Sequence, residues 1–433
     1  MEHHSSRFYY FDRYFTSFCV ENIQHSPLNK NVSERETKKP VTLTEATSQM
    51  TTLPDHIKKL IRPNILTLEP YRCARDDYDS GILLDANENA YGPPLVQHDD
   101  NELPNDTLKE FQLERYPDPY QMKLKTILSD IRGTKPEQIA VGNGSDELID
   151  LLMRIFCQPS SSDHILTCPP TYGMYKTTAT VNDVPLLEVP LTAEYQLDVP
   201  SILQAVTPNT KLMFLCSPGN PTACLLNKED ILTILRAPEY EGMIIVDEAY
   251  IDFALTAESK DATCCDLVAQ YDEFSRLVVM QTLSKAWGLA GIRLGMVFCH
   301  PSVAQIINNV KAPYNVNKVT AAIARQALAH GQDKLAENVA VLMKERAKVS
   351  ETLASFKFVE TVYPSDSNFI MFRLISTVDA KLVYTKIAES GVVIRYRGTQ
   401  TNCANCLRAT VGTPEQNIMM LEHLVAVVGS ITQ

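Results

Sequence analysis

The segment LVVMQTLSKAWGLAGIR, residues 277–293, decides the fold. It opens with four apolar residues, a run typical of a buried strand, and polar residues with one lysine follow directly. Strand-like apolar runs also occupy residues 211–215 and 243–246, and helical patterns at residues 147–156 and 301–310 alternate with them. This alternation predicts an α/β fold around a mainly parallel sheet.

Composition divides the chain into four predicted parts. Residues 1–52 form a largely polar extension that we expect to be disordered and to lie outside the catalytic fold. Residues 53–95 are expected to form an arm that joins the small domain, and residues 96–316 the large domain. Residues 317–433 are expected to form the smaller C-terminal domain, which opens with a long helical pattern over residues 318–355.

Charge and hydropathy argue against two classes of partner. The 433 residues include 40 Lys and Arg against 52 Asp and Glu, and the net charge of -12 disfavours a nucleic-acid surface. No run approaches the roughly 20 apolar residues of a membrane span. Because the N-terminus lacks an apolar signal core, we expect the 11 cysteines to be free thiols of a cytoplasmic protein. A transit peptide at the extreme N-terminus stays open, although acidic residues disfavour it.

Polar residues after the predicted strands mark the expected ligand site, because ligands of open α/β sheets bind at the carboxyl ends of strands. In residues 141–147 the glycines allow close approach, and Ser145 can cap a helix whose free amides favour a phosphate. Glu147 replaces the third glycine of a dinucleotide-binding motif. Judged alone, this segment is equally consistent with a plain capped helix.

Two further segments supply an amide and a carboxylate. Asn220, between two prolines in residues 218–221, can donate to a phenolate oxygen, although a simple turn has the same signature. Asp247 follows the strand of residues 243–246, and a buried carboxylate there requires a cation or a metal ion. Tyr250 can reach the same ligand. A magnesium site is the alternative, but the chain lacks the phosphate-binding loop motif that accompanies one.

Lys285 is the candidate nucleophile. A lysine in a partly desolvated cleft has a lowered pKa and can condense with an aldehyde. Thr282, Ser284 and Arg293 then lie around a possible phosphate position. A lysine near a strand end is usually a solvated charge, but the apolar flank and the chain's only tryptophan favour the functional interpretation.

In order, spacing and residue type, these segments resemble the fold-type I, aspartate-aminotransferase-like family of pyridoxal-phosphate enzymes. The resemblance implies a large domain with a mixed, mainly parallel sheet, a smaller α+β domain and pyridoxal 5'-phosphate as cofactor. It implies that Lys285 holds the cofactor as a Schiff base and that Asp247 pairs with the pyridine nitrogen. Asn220 and Tyr250 would bind the phenolic oxygen, and Tyr172 would stack on the ring. The residues implied around the phosphate are Gly144, Ser145, Thr282, Ser284 and Arg293, and Asp146 is a further implied cofactor-binding residue.

Shorter segments narrow the likeness to the histidinol-phosphate aminotransferases: residues 84–93, 115–119, 312–316, 367–369 and 406–413. By that likeness Tyr116 reaches the cofactor phosphate of a neighbouring subunit, which implies a homodimer. Arg408 would bind the acidic end of each substrate, and Arg395 would assist at the phosphate. The remaining substrate-binding residues implied are Tyr71, Asn89 and Asn368. Asn89 as a turn former and Arg395 with Arg397 as a solvated strand face stay open as alternatives.

The implied reaction converts L-histidinol phosphate and 2-oxoglutarate to imidazole-acetol phosphate and L-glutamate, a step of histidine biosynthesis, with Lys285 as general base. An aromatic-amino-acid aminotransferase or a threonine-phosphate decarboxylase of the same subgroup is the nearest alternative. A nicotinamide-dependent oxidoreductase is disfavoured by Glu147, and a non-catalytic regulator by the lack of a helix-turn-helix in the polar extension. No metal is expected, because Cys403 and Cys406 lack a second ligand pair.

Overall fold

The computed structural model describes residues 53–66, 112–255 and 260–432. Tyr71 and Asn89, two predicted substrate-binding residues, lie outside these ranges. The predicted division of the chain into four parts stays a prediction.

Seven strands form the larger sheet. They are β1 (Ile139–Asn143), β2 (His164–Thr167), β3 (Leu186–Glu188), β4 (Thr210–Cys216), β5 (Met243–Asp247), β6 (Leu277–Thr282) and β7 (Leu294–Cys299). Their spatial order is β1-β7-β6-β5-β4-β2-β3. β7 is antiparallel to both of its neighbours, and the other neighbouring strands pair in parallel. The predicted α/β class with a mainly parallel sheet is therefore confirmed.

Helices cover both faces of this sheet, so its central strands are buried on both sides. Every residue of β5 and β6 is buried. Within β5, Ile244 and Val246 belong to one core cluster, whereas Met243 and Ile245 belong to the other. Alternate residues of a strand point to opposite faces, so one continuous apolar run serves both cores.

The helices are α1 (Asp55–Leu60), α2 (Pro63–Leu66), α3 (Met122–Arg132), α4 (Gly144–Phe156), α5 (Met174–Val181), α6 (Val199–Ala205), α7 (Lys228–Arg236), α8 (Cys265–Val268), α9 (Pro301–Val310), α10 (Lys318–His330), α11 (Gln332–Ser355), α12 (Ala380–Glu389) and α13 (Pro414–Ile431). α4, α5 and α9 pack on one face of the large sheet, and α3, α7, α8 and α10 on the other. Of these helices, none combines the length and the apolarity that a membrane span requires.

Two details of the helix predictions differ from the structure. The pattern over residues 318–355 is not one helix, because α10 ends and α11 begins at Gly331. A Cβ atom on Gly331 would lie 2.6 Å from the carbonyl oxygen of Ala327, so a glycine permits this close approach. The cap of α4 is Asn143 rather than Ser145, and its side chain makes no capping hydrogen bond.

Four strands form a smaller, antiparallel sheet: β8 (Val359–Val362), β9 (Phe369–Leu374), β10 (Arg395–Tyr396) and β11 (Cys406–Thr410). Their spatial order is β10-β11-β9-β8. α11, α12 and α13 pack against this sheet around a third apolar cluster. The predicted strand after Cys406 is confirmed as β11, so the Cys403–Cys406 pair does not open a helix as a thioredoxin-type motif does.

Candidate active site

A pocket of about 140 Å³ lies where the ends of β4, β5 and β6 meet the beginning of α4. Ten of its twelve lining residues were predicted from the sequence. The lining residues are Ser145, Asp146, Tyr172, Cys216, Asn220, Asp247, Ala249, Tyr250, Thr282, Ser284, Lys285 and Arg293. Segments that lie far apart in the chain therefore converge at one edge of the sheet, where parallel strands place their carboxyl ends.

Asp247 is a buried carboxylate at the floor of this pocket. Asp247 is the last residue of β5 and is 3% exposed. Tyr175 Oη donates to Asp247 Oδ2 over 2.5 Å, and the Ala249 amide donates to Oδ1 over 3.2 Å. Burial raises the pKa of Asp247 to about 6, against the opposing effect of these two hydrogen bonds. Within residues 53–66, 112–255 and 260–432, no basic side chain lies within 4 Å of this carboxylate.

Lys285 also lines the pocket, in the loop that follows β6. Its Nζ is 5.4 Å from the centroid of the Tyr250 ring. The residue is exposed at the pocket mouth, yet the protein around its ammonium group removes enough water to lower the pKa of Lys285. The positive charge of Arg408 lowers the pKa further, and Asp146 and Asp247 oppose the shift. A larger fraction of Lys285 is therefore a neutral, nucleophilic amine at neutral pH.

The first turn of α4 forms one wall of the pocket and suits a phosphate. Gly144 has a φ of +78°, and a Cβ atom there would lie 2.6 Å from Arg293 Nη2. The cap residue Asn143 bonds no amide of this turn through its side chain, and Ser145 and Asp146 line the pocket, so the first-turn amides are available to an anion there. Arg293 Nη2 lies 3.5 Å from Asp146 Oδ2, which leaves the guanidinium half exposed toward an anion.

Hydroxyl groups line the same end of the pocket. Thr282 Oγ1 donates to Ser284 Oγ or to the carbonyl oxygen of Leu294, each over 2.9 Å, and it accepts from the Ser284 amide. Tyr172 Oη donates to Asp146 Oδ1 over 3.1 Å. These groups add donors beside Arg293, as recognition of a phosphate requires.

Asn220 joins the pocket to Arg408 on the smaller sheet. Asn220 Nδ2 lies 3.5 Å from Tyr250 Oη, and Arg408 Nη1 donates to Asn220 Oδ1 over 2.5 Å. The Arg408 guanidinium also lies 4.9 Å above the Phe369 ring, and its Nε is buried without a hydrogen-bond partner. One guanidinium therefore borders the pocket with donors still free for an acidic group.

Five predicted residues in the described part of the chain do not line this pocket. Two of them adjoin lining residues: Gly144 precedes Ser145, and Arg408 donates to Asn220. Arg395 is exposed on β10, where it pairs with Arg408 of β11. Asn368 is half buried, and its backbone oxygen accepts from the Val411 amide. Tyr116 is 49% exposed and its ring stacks on Tyr314 with the centroids 4.6 Å apart.

Four residues at or near the site were not predicted from the sequence, and one of them is Ala249, whose amide donates to Asp247. Tyr175 is fully buried and bonds Asp247, and only its position one helical turn after Tyr172 hints at this role. Cys216 lines the pocket at the end of β4. Arg397 was grouped with Arg395 as a possible solvated strand face, yet it is half buried and its Nε lacks a partner.

The donor set fits pyridoxal 5'-phosphate. An amine suits its aldehyde, a buried carboxyl group without a nearby cation suits its pyridine nitrogen, and the first turn of α4 with Arg293 suits its phosphate. No cluster of three or more metal-ligating side chains occurs in the described part of the chain. The nine cysteines of that part are buried free thiols.

Comparison with known proteins places the chain in a family. The model of the family described as aminotransferase class I and II matches residues 79–424. The histidinol-phosphate aminotransferase of Candida maltosa is 44% identical over 400 residues, which cover 87% of this chain and 99% of that protein.

Two solved structures share the fold. The histidinol-phosphate aminotransferase of Sinorhizobium meliloti in complex with pyridoxal-5'-phosphate has a TM-score of 0.66 at 23% identity, covering 89% of this chain and all of that one. An aspartate aminotransferase of Thermus thermophilus has a TM-score of 0.62 at 20% identity, covering 76% and 89%. These likenesses confirm the predicted fold type I. The chain belongs to the aminotransferase class I and II family and, within it, to the histidinol-phosphate aminotransferases.

Proposed function

We propose that this chain is a pyridoxal-phosphate-dependent transaminase that converts L-histidinol phosphate and 2-oxoglutarate to imidazole-acetol phosphate and L-glutamate in histidine biosynthesis. One arrangement carries the proposal. The amine of Lys285 and the carboxyl group of Asp247 line one pocket, and the guanidinium of Arg408 bonds to Asn220 at its border. These are the groups needed to bind an aldehyde cofactor and an acidic substrate together.

Each group around the pocket has a role in holding the cofactor. Lys285 bonds the aldehyde, Asp247 keeps the pyridine nitrogen protonated, and Tyr172 covers the ring. Asn220 and Tyr250 bind the phenolic oxygen. The groups that hold the phosphate are Gly144, Ser145, Thr282, Ser284 and Arg293, and Asp146 helps to bind the cofactor through its contacts with Arg293 and Tyr172. When bound, pyridoxal phosphate supplies an electron sink for the charge that develops at the substrate Cα.

Lys285 also moves the proton. When it is not bonded to the cofactor, Lys285 Nζ would be a free base within the pocket and would take the proton from the substrate Cα. The lowered pKa of Lys285 favours this neutral form near neutral pH. Tyr175 and Ala249 hold the carboxylate of Asp247 in one orientation, in which it would stabilise positive charge on the pyridine nitrogen.

Arg408 binds the acidic end of both substrates. A planar guanidinium forms paired hydrogen bonds with a phosphate or with a carboxylate, so one residue serves the amino donor and the amino acceptor in turn. Arg395 assists at the phosphate, and Asn368, Asn89 and Tyr71 complete the substrate site in this proposal. The buried Nε of Arg408, which has no partner, supports its assignment.

The active form in this proposal is a cytoplasmic homodimer. Tyr116 lies outside the pocket of its own chain and is half exposed, which supports a role at the cofactor phosphate of the neighbouring subunit. The buried free thiols of the described cysteines support a reducing compartment. Sedimentation analysis and cell fractionation test these two statements.

A coupled assay of glutamate formation tests the reaction. Purified holoenzyme with 2-oxoglutarate is expected to use histidinol phosphate far better than phenylalanine or tyrosine, and to release no CO₂ from threonine phosphate. Lys285→Ala is expected to abolish turnover and the visible absorbance of the bound cofactor. Preference for an aromatic amino acid, or CO₂ release, would instead support one of the alternative activities.

A further inference from the structure

One face of the smaller sheet is directed at the pocket. Met371 and Cys406 pack into the core cluster of the large sheet, whereas Leu407 and Ala409 pack into the cluster on the other side. Arg408 alternates with Leu407 and Ala409, so it shares the face of Cys406. We call this side the inner face.

Arg397 continues the inner face. Arg395 lies opposite Arg408 in the pairing of β10 with β11, and side chains of directly opposite residues point to the same side. The Arg397 amide donates to the Cys406 carbonyl oxygen over 2.9 Å, which extends this ladder by two residues. Arg397 therefore follows Arg395 on the same side, diagonal to Arg408.

The guanidinium of Arg397 is half buried and lacks an anionic partner. Its Nε is buried without a hydrogen bond. In the described part of the chain, no carboxylate lies within 4 Å of Arg395, Arg397 or Arg408. Burial lowers the pKa of Arg397 to about 10, with further lowering by Arg408 and Arg395 and an opposing effect of Cys403 and Tyr250. Arg397 is therefore still a cation at neutral pH, beside two others.

Three neighbouring cations repel one another, so this arrangement favours a ligand with more than one negative charge. A phosphate monoester carries a charge of about -1.5 to -2 at neutral pH and offers three acceptor oxygens. A single carboxylate carries one charge, which Arg408 alone can match.

We propose that Arg397 is a specificity-determining residue, whose guanidinium joins Arg408 in binding the phosphate of the amino donor. The inference rests on the proposed function. It gives Arg397 a larger role with the phosphorylated donor than with 2-oxoglutarate or an aromatic amino acid. The residue thereby separates the proposed activity from that of an aromatic-amino-acid aminotransferase.

The experiment compares Arg397→Gln, Arg397→Lys and the control Arg236→Gln, all as holoenzymes. Arg236 is an exposed arginine of α7 paired with Glu273, remote from the inner face. We measure kcat and KM for histidinol phosphate, phenylalanine and 2-oxoglutarate, and the binding of inorganic phosphate by calorimetry. Bound cofactor fills its own phosphate position, so the calorimetry reports the substrate position.

Arg397→Gln is expected to lower kcat/KM for histidinol phosphate about 10-fold to 100-fold, mainly through KM, since it removes a charge-assisted hydrogen bond. The Kd of inorganic phosphate should rise by a similar factor, while phenylalanine kinetics change little. Arg397→Lys keeps the charge but loses the planar fork, so an intermediate loss is expected. Arg236→Gln should behave as the parent enzyme.

Two results overturn the inference. Equal losses for phosphorylated and unphosphorylated donors, with unchanged phosphate binding, would mean that Arg397 only holds the β10–β11 connection. Unchanged histidinol phosphate kinetics in Arg397→Gln would remove the residue from the site. If the parent enzyme ignores histidinol phosphate, the proposed function fails, and the calorimetry still decides whether Arg397 binds a phosphate.

Discussion

Asp247 experiences two opposing effects, and their balance makes cofactor binding dependent on pH. Burial disfavours the charged carboxylate, whereas the hydrogen bonds from Tyr175 and Ala249 favour it, and the resulting pKa is about 6. In the proposed site, a protonated pyridine nitrogen binds the ionised carboxylate. Below pH 6 the cofactor-free enzyme therefore has to lose a proton from Asp247 before this pair can form.

We expect the affinity for pyridoxal phosphate to fall as the pH is lowered through about 6. Fluorescence titration of the cofactor-free enzyme between pH 5 and pH 8, values that bracket this pKa, measures the effect. Asp247→Asn cannot ionise, so its affinity should be lower at neutral pH and should lack this pH-dependent step. A step of the same size in Asp247→Asn would assign the titration to another group.

The same shift has an opposite consequence for the stability of the cofactor-free protein. The pKa of Asp247 in the folded chain is above its ordinary value of 3.8, so the folded state holds this proton more tightly than the unfolded state. Its contribution to stability is therefore fully present below about pH 4 and is lost as the pH rises through about 6. Cofactor binding supplies a cation that offsets this loss.

At the scale of the elements, a network of buried and partly buried polar side chains connects residues that adjoin the pocket residues in sequence. Arg132 of α3 donates from Nη2 to Asp252 over 2.6 Å and from Nε to Gln281 over 2.8 Å. Gln281 in turn donates to Glu248, and Trp287 Nε1 donates to Asp252. The other four residues of this network lie one or two positions in sequence from a pocket residue, and they are Asp252, Gln281, Glu248 and Trp287. The network therefore holds the strand ends and the Lys285 loop together.

Breaking one ion pair of this network tests that role. Arg132 and Asp252 have side chains that are each 11% exposed. Asp252→Leu leaves a buried guanidinium unpaired, which we expect to lower the free energy of unfolding by about 3–5 kcal/mol. The double variant Arg132→Met with Asp252→Leu should lose less, because the guanidinium is removed together with its partner, while buried Glu248 keeps its hydrogen bonds from Thr263, Cys264 and Gln281. Urea unfolding of Asp252→Leu, Arg132→Met and the double variant measures these losses, and a loss in the double variant equal to the sum of the two single losses would show that the two residues act independently.

Gly295 brings β7 of the large sheet into close contact with the first turn of α4, which forms one wall of the pocket. A Cβ atom on this residue of β7 would lie 2.5 Å from the Ser145 amide nitrogen and 2.5 Å from the Gly144 carbonyl carbon. Gly295→Ala must displace the first turn of α4, and we expect it to weaken cofactor binding by about 1–3 kcal/mol. Absorbance titration of the cofactor-free variant measures this loss.

Gly429 offers a matched control for that substitution. It lies within α13, and a Cβ atom there would meet no atom within 4 Å. Gly429→Ala should leave cofactor affinity unchanged and raise the free energy of unfolding by up to about 1 kcal/mol, since alanine favours the helix. Unchanged cofactor affinity in Gly295→Ala would show that α4 adapts to the added methyl group.

Sequence periodicity revealed the parts of the site that lie at strand ends. Asp247, Thr282 and Lys285 follow continuous apolar runs, so topology alone brings them together. Tyr175 could not be predicted in this way, because its contact with Asp247 depends on how α5 packs across the sheet. The direction of Arg397 depends on the pairing of β10 with β11, and the nine residues that connect these strands give no sign of that pairing in the sequence.

At the scale of the whole molecule, the site draws on both sheets. The large sheet supplies Lys285 and Asp247, and the smaller sheet supplies Arg408 through its contact with Asn220. Local patterns predicted the mainly parallel sheet and one strand of the smaller sheet, but they carry no information on how two sheets pack. Only the likeness to known enzymes linked Arg408 to the pocket before the structure did.

Subunit mixing tests whether the site also draws on a second chain. In the proposed dimer, Tyr116 of one subunit serves the pocket that contains Lys285 of the other. Lys285→Ala and Tyr116→Ala should each be poorly active alone. A mixed dimer contains one pocket with an intact Lys285 and an intact Tyr116 from the partner, so mixing the two variants should restore part of the activity.

A second mixture provides the control for this experiment. Lys285 and Asp247 line the same pocket of one chain. In a mixed dimer of Lys285→Ala and Asp247→Asn, each pocket therefore carries one of the two substitutions, and no recovery of activity is expected. Copurification of two differently tagged variants verifies that subunits exchange. If exchange occurs and the mixture of Lys285→Ala with Tyr116→Ala stays inactive, Tyr116 does not act across subunits, because the only complete combination of the two residues forms between chains.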